Sequence, residues 1–390
     1  MTPPLPSTRR VAIACGGTGG HLFPGLAVAE QLFEREAEVR LLVSAKDVDQ
    51  RALQHERRFE VMTLPAVGFS LARALPFALE TLRSLRLARA AFQQWRPDVF
   101  LSMGGFTSAP PALAARSLGI PVALHEANAI PGRANRWLAR FAQRRYLHFP
   151  ESAHRLPGGA CDVVGMPVRS AFQPSDPGSC RLALGLDPRR PVLLVMGGSQ
   201  GARALNRGIL DAAPALIRHV PGLQFLHVTG REDEAETRAA YARAGINASV
   251  RAFLTEMELA LGAADATLSR AGASSIAECA ALRVPALLVP YPHAADDHQA
   301  ANARALESVG AACVLAQSRL SPESLVERLV PLLADAPTRA RMQHALATWH
   351  RADADARVAD GVLRLARGQA DDAGSTATAR RDTAPSSFSA

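Results

Sequence analysis

His21 closes a run of glycines, and it is the first residue in this chain whose type and place invite a chemical reading. The run is Gly16-Gly17-Thr18-Gly19-Gly20. Val11-Ala-Ile-Ala-Cys15 precedes it and reads as a buried strand. Pro24 and an apolar pattern at helical spacing follow, as far as Leu32. Strand, glycine loop and helix in that order present bare backbone N–H groups at the positive end of a helix dipole, which suits a phosphate or another anion. An imidazole at that place adds a group able to titrate near neutral pH. The loop is not a dinucleotide fingerprint, because the third glycine is missing and the second strand ends Ser44-Ala-Lys46-Asp47 rather than on an acid. Nor is it a Walker loop, since no Lys-Ser or Lys-Thr follows. The bland alternative is a tight turn whose histidine caps its own loop.

Four further stretches carry candidate chemistry. Gly197-Gly-Ser199-Gln-Gly201-Ala202 repeats the architecture of the first loop and adds a hydroxyl donor. In Ser269-Arg-Ala-Gly272-Ala273-Ser274-Ser275-Ile276-Ala277-Glu278 the small residues let a ligand approach a first helical turn, where N–H groups are unpaired. Glu278 falls one turn later, where a carboxylate suits a vicinal diol; as a plain helix-start acid it would only favour the dipole. Tyr291 to Asn302, including Asp296, Asp297, His298 and Gln299, follows a strand and so belongs to the carboxyl edge of a parallel sheet, where such folds bind ligands. Asp296-Asp297-His298 lacks a third metal ligand at a helical offset, so sugar hydroxyls are the expected contacts and no metal is expected. His125-Glu126-Ala127-Asn128 has the same position in the first half.

The elements that position these residues alternate. Strands are expected at 38–44, 59–64, 98–102 and 121–126, with helical patterns at 47–58, 69–95, 108–118 and 132–142 between and after them. The 146–170 stretch, broken by Pro150, Pro157 and Gly165-Met-Pro167, reads as a junction. The pattern restarts at Arg190, with strands near 223–228, 249–253, 265–269 and 284–289, and a long amphipathic helix over 338–367. Alternation of this kind implies parallel sheets with right-handed crossovers. Two strand–glycine–helix openings about 180 residues apart imply an α/β protein of two doubly wound domains facing each other. Expected bounds are 11–164 for the first domain, completed by the terminal helix at about 341–367, and 165–340 for the second. Residues 1–10 and 368–390 are expected to be disordered.

Bulk composition narrows the classes. The chain has 390 residues, is 48% hydrophobic and 21% charged, and carries +8. No stretch reaches the roughly 18 apolar residues of a spanning helix, and the N-terminus is too short for a signal peptide's apolar region. The five cysteines are scattered, so reduced thiols in a cytoplasmic protein are expected. Residues 1–164 hold 20 basic and 13 acidic residues, and Lys46 is the sole lysine. A basic half suits an anionic membrane surface or substrate. Nucleic acid is the weakest candidate partner and is not expected, given the 5% aromatic content and the lack of any finger spacing or stacking motif.

Taken in order, Gly16–His21 with Phe23-Pro24-Gly25, Met103-Gly104-Gly105, His125-Glu126-x-Asn128, Gly165-x-Pro167-Val-Arg169, Gly197–Ala202, Ser269-Arg-x-Gly272 through Glu278, and Asp297-His-Gln299 with Asn302 resemble the family of bacterial N-acetylglucosaminyltransferases that convert lipid I to lipid II in peptidoglycan synthesis. The resemblance covers about residues 9–367. It implies a GT-B fold, two Rossmann-like domains with the active site in the cleft, and no cofactor. It implies UDP-GlcNAc as donor and lipid I, the undecaprenyl-diphosphate-linked muramyl pentapeptide, as acceptor. It also implies a peripheral seat on the cytoplasmic face of the inner membrane, in the company of other cell-wall synthesis proteins.

By that resemblance Thr18, Gly19 and Gly20 line the donor side of the cleft. Asn128 and Gln299 meet the sugar hydroxyls, and Arg169 lies near the nucleotide. Ser199 and the N–H groups of Ala273, Ser274, Ser275, Ile276 and Ala277 cradle the diphosphate, Leu254 meets uracil and Glu278 takes the ribose. Ala127 departs from the family's common glutamine. The reaction implied is an inverting displacement by the acceptor's 4-hydroxyl, which needs a base and a stabilised leaving group. His21 is the expected base and Glu126 the runner-up. Residues 67–92, with Leu75, Phe77, Leu79 and Leu82 beside Arg73, Arg83, Arg86 and Arg89, are the expected membrane patch; a core-facing helix with a solvated arginine face is the alternative. Competing functions are a UDP-GlcNAc epimerase of the same fold and a non-catalytic nucleotide-sugar-binding module.

Overall fold

The computed structural model describes residues 8–17, 19–46, 50, 53, 56–65, 74–198 and 201–369. The expectations for residues 1–7 and 370–390, and most of the helix expected at 47–58, lie outside the described residues. So do Thr18, Arg73 and Ser199.

The first lobe runs β1 (Arg10–Ala14), α1 (Gly19–Glu34), β2 (Glu38–Ser44), β3 (Glu60–Leu64), α2 (Ala74–Trp95), β4 (Val99–Ser102), α3 (Ala109–Ser117), β5 (Val122–Glu126), α4 (Arg133–Leu138), β6 (Arg144–Leu147) and β7 (Cys161–Val163). Its strands form one sheet in the order β3-β2-β1-β4-β5-β6-β7, with every pairing parallel. Val11 pairs with Val39 on one side and Val99 on the other. Helices cover both faces, so β1, β4 and β5 read as continuous apolar runs without alternation, and the core forms two clusters, one per face.

The second lobe runs α5 (Pro177–Ala183), β8 (Val192–Met196), α6 (Arg203–His219), β9 (Gln224–Val228), α7 (Glu234–Arg243), β10 (Ala248–Arg251), α8 (Met257–Ala263), β11 (Ala266–Ser269), α9 (Ala273–Ala281), β12 (Ala286–Leu288), α10 (His298–Ser308), β13 (Cys313–Val314), α11 (Pro322–Ala334) and α12 (Ala336–Trp349). Its parallel sheet has the order β10-β9-β8-β11-β12-β13. In both sheets the order reverses beside the first strand, between β1 and β4 and between β8 and β11. The crevice at such a reversal is where doubly wound folds take ligands. All four glycine-bearing loops singled out in the sequence stand there.

Two features differ from the sequence reading. The 146–170 stretch is structured: β6 and β7 complete the first sheet, and a short 3-10 turn spans Pro150–Arg155. The helix expected over 338–367 is two helices, α12 and α13 (Ala354–Ala366), broken at His350–Asp353. The break has a topological cause. α12 packs on α9 and α11 of the second lobe, whereas α13 lies on α1 and sends Val358, Ala359, Val362 and Leu363 into the first lobe's core. The chain therefore crosses between lobes twice, at 164–174 and at 350–353. The crossings lie side by side: Arg351 Nη1 donates to Val163 O at 2.9 Å. A Cβ on Gly165, whose φ is +94°, would stand 2.8 Å from the Arg351 side chain.

Candidate functional site

Gly16 is glycine by necessity: a Cβ there would run into the backbone of Val43 and Ser44, so the loop leaves β1 through a gap only hydrogen fits. Thr107 Oγ1 donates to Gly16 O at 2.6 Å and Lys46 Nζ to Gly17 O at 2.9 Å. Neither residue was singled out in the sequence. Their signal was weak: a threonine shortly after Gly104-Gly105, and the sole lysine at the tip of β2. His21 lies on the first turn of α1, with its ring against the Gly104-Gly105 turn; side chains there would come within 3.3 and 3.1 Å of the imidazole. Both glycines have positive φ, +102° and +80°, so the turn and the imidazole seat specify each other.

Pro24 sits inside α1 and has no amide hydrogen, which leaves the carbonyl four residues back without its helical donor. That carbonyl belongs to Gly20, and Ser274 Oγ of the opposite lobe donates to it at 3.2 Å. One proline thus turns a helix's inner carbonyl into a contact across the cleft. Beneath it Ala127, Met166, Ala273 and Ala277 pack together, with Ala127 and Met166 on one side and α9 on the other. The alanine that departs from the family pattern is part of this floor.

α9 starts at Gly272 with no side-chain cap on its first amides. Ala273, Ile276 and Ala277 are buried, and Ser274 and Ser275 half-buried, so this uncapped turn faces the cleft as expected of an anion seat. Glu278 lies one turn on. Burial pushes its carboxyl up to about 7, Arg169 drawing it down and Glu258 adding to the rise. Arg169 reaches over from the crossing and stacks between Phe23 (4.8 Å) and Phe172 (5.1 Å). Its Nη2 stands 3.6 Å from Glu258 Oε2, while Arg169 Nε and Glu258 Oε2 are buried without hydrogen-bond partners. Leu254 is half-buried against the cluster under α8. Arg169, Glu278 and Ser274 share one narrow pocket with Phe23 and Pro24.

At the other end of the cleft, Asn302 is fully buried and joins the lobes. Its Oδ1 accepts from Ala129 N at 2.9 Å, and its Nδ2 donates to Asn128 Oδ1 at 3.1 Å and Ala271 O at 3.2 Å. Gln299 Oε1 accepts from Tyr291 N at 3.0 Å. Asn128 and Gln299 therefore stand on the two segments that Asn302 draws together.

Glu126 does not fit the role of alternative base. It is 1% exposed. Oε1 accepts from Asn128 N (2.8 Å) and Asn128 Nδ2 (3.3 Å), and Oε2 from Gly132 N (3.0 Å) and Asn135 Nδ2 (2.8 Å). A carboxylate has about four acceptor sites; all four are taken, and burial raises the group above the usual range. Glu126 is the clasp that shapes the loop carrying Asn128. His125 also turns inward, Nε2 against Gly165 O at 3.0 Å, and burial holds it at about 4. Asp296, weighed as a metal ligand, is engaged by Arg133 and Arg136.

With two facing lobes and this cleft, the comparisons are decisive. The glycosyltransferase family 28 N-terminal domain matches residues 11–147 and its C-terminal domain residues 192–358. The chain belongs to glycosyltransferase family 28. Within family 28 it is 43% identical over 362 residues to the UDP-N-acetylglucosamine–N-acetylmuramyl-(pentapeptide) pyrophosphoryl-undecaprenol N-acetylglucosamine transferase of Acidithiobacillus ferrooxidans, covering 92% of this chain and 98% of that one. The crystal structure of Acinetobacter baumannii MurG superposes with a TM-score of 0.70 at 30% identity, covering 92% of this chain and 99% of that one. A putative UDP-N-acetylglucosamine 2-epimerase from Listeria monocytogenes also reaches 0.70, at 15% identity, covering 93% and 98%; that likeness is one of fold. The two-lobed GT-B architecture is thus shared beyond family 28, while sequence kinship within it points to a hexosyltransferase.

Proposed function

We propose that this protein transfers N-acetylglucosamine from UDP-N-acetylglucosamine to the 4-hydroxyl of the muramyl pentapeptide of undecaprenyl-diphosphate-linked lipid I, with inversion, giving lipid II for peptidoglycan. The observation that carries this reading is the pairing across the cleft: an uncapped helix start at Gly272–Ala277 in one lobe and a glycine loop ending in His21 in the other, touching at Ser274 and Gly20. The relatives' names supply the identity of the two substrates.

In this reading the α9 amides bind the donor diphosphate and hold the negative charge that develops as UDP leaves. Glu278 accepts the ribose hydroxyls, Arg169 flanks the nucleotide, Leu254 meets uracil, and Asn128 and Gln299 orient the sugar. Thr18 and Ser199 are assigned to the same donor by resemblance. His21 takes the proton from the attacking 4-hydroxyl, and the glycine loop receives the acceptor's diphosphate. The exposed apolar start of α2 seats the protein on the cytoplasmic face of the plasma membrane, where a lipid-linked acceptor is presented.

The test is UDP release with and without a lipid I analogue. A transferase releases UDP only with acceptor. Release without it, or conversion of the free nucleotide sugar, identifies other chemistry, and donor binding with no turnover identifies a binding module. In the same assay His21→Ala should lower kcat about 100-fold or more, the usual worth of a general base, with little change in KM for the donor. Turnover near wild type removes His21 from the base role.

A further inference from the structure

The rim of the cleft beside Asn128 and Gln299 carries a contact that the reaction as proposed does not use. Arg133 and Arg136 lie one turn apart on α4. Arg133 Nη2 is 3.2 Å from Asp296 Oδ1, and Arg136 Nη2 is 2.5 Å from Oδ2. The carboxylate comes from the opposite lobe, on the turn before α10, and the turn is strained to deliver it: Asp296 and Asp297 adopt φ of +52° and +54°, uncommon for residues other than glycine. The two guanidiniums hold that carboxyl below its usual range. They are otherwise open to solvent, the side chain of Arg133 being 81% exposed and that of Arg136 40%. What the structure displays is two guanidiniums at the cleft rim closed around one carboxylate.

The chemistry of the acceptor says what else would sit there. In a muramyl sugar the peptide is attached through the lactyl group on O3, one carbon from the 4-hydroxyl that attacks. With that hydroxyl at His21 and the donor sugar held by Asn128 and Gln299, the way out of the cleft beside the donor sugar runs between 128–136 on one side and 291–299 on the other. Five residues reach roughly 17 Å when extended, enough to bring carboxylates of the stem to the rim. Paired guanidiniums are the side chains suited to receive them.

Resting on the transferase reading, we infer that Arg133 and Arg136 form a receptor for the carboxylates of the acceptor's peptide stem, and that Asp296 occupies it until the acceptor arrives. Asp296 is then an internal competitor whose release couples acceptor binding to the separation of the rims.

The experiment uses the full chain and two soluble lipid I analogues, one with its peptide carboxylates free and one with them amidated. Arg133→Ala/Arg136→Ala should raise KM about tenfold for the free acid, roughly what two partly exposed charge contacts are worth. KM for the amide should change less than about twofold, and the lysine pair should restore part of the loss. Asp296→Asn should lower KM for the free acid. Equal losses on acid and amide overturn the receptor, as does a rise in KM for Asp296→Asn matching that of the arginine pair, which would make the clasp itself the functional unit. A wild-type enzyme releasing no UDP with either analogue would instead overturn the transferase reading.

Discussion

At the scale of single residues, environment decides which candidates do chemistry. Glu126 and Glu278 are both carboxylates beside the cleft, yet one is saturated by four N–H donors while the other meets mainly desolvation. No reading of the sequence separates them, because the difference lies in Asn135, Gly132 and Arg169, which folding brings up from elsewhere. Glu278 carries a testable consequence. Its folded pKa of about 7 exceeds the ordinary 4.5, so folding favours the protonated form. The site is not penalised below pH 4.5, and the penalty grows as pH rises to about 7, where the half-buried group ionises. Glu278→Gln should therefore stabilise the free protein at pH 8, by roughly 1–3 kcal/mol, and have little effect at pH 4.5; urea unfolding at the two pH values measures this. If Glu278 takes the ribose as proposed, donor KM of the wild type should rise as pH falls below about 7, since only the ionised carboxylate is a full acceptor for a diol, and the same variant should lose that rise. Equal stability changes at both pH values would mean that the residue packs without titrating.

At the scale of elements, legibility followed length and environment. The strand–glycine–helix openings were readable because a strand buried on both faces is apolar throughout and the turn after it needs glycine for steric reasons. β6 was not readable: it begins Arg144-Arg145, and the buried Arg145 has no carboxylate partner among the described residues but turns its guanidinium to the carbonyls of Ala139 and Ala142 just past α4. β7 and β13 have three and two residues, too few to show a period. The break between α12 and α13 was hidden because both pieces are amphipathic and only their partners differ. α13 makes a claim that can be checked. Gly361 lies in its middle, where alanine would ordinarily gain about 1 kcal/mol of helix propensity. A Cβ there would overlap the phenol of Tyr146 on β6, and overpacking of this kind costs about 1–3 kcal/mol. Gly361→Ala should therefore lower the midpoint of thermal unfolding. A higher midpoint would show that α13 can shift away from the sheet, and that its seat on the first lobe is loose.

At the scale of the molecule, the ties between the two lobes among the described residues include Ser274 to Gly20 at the floor, Asn302 to Asn128 and Ala129 at the other end of the cleft, and Asp296 to α4 at the rim. Two chain crossings also join them, and the first carries Met166 and Arg169 to the floor beside Ser274. The basic half of the sequence is the first lobe, and α2 divides in two along its length. Ser84, Ala88, Phe92 and Trp95 are buried, and the helix packs on α3, whereas Leu75 is 71% exposed, Leu79 59% and Leu82 41%, with Arg83 and Arg86 also exposed and Phe77 half-buried. Its second half turns one face to the core, and its first half leaves apolar side chains in water without a covering element among the described residues. No described helix is long and apolar enough to cross a bilayer, and the surface seat proposed above rests on this exposed end of α2. Each basic side chain near an anionic surface is worth about 1 kcal/mol. Arg83→Glu/Arg86→Glu should thus weaken binding to vesicles containing anionic lipid by tenfold or more, while Leu75→Ser/Leu79→Ser should weaken binding to anionic and neutral vesicles alike, each read by flotation. In both variants UDP release with a water-soluble acceptor should stay near wild type, because α2 lies apart from the cleft. Vesicle binding that ignores both the charge reversals and the lipid charge would remove α2 from the membrane surface and leave its exposed leucines to some other contact.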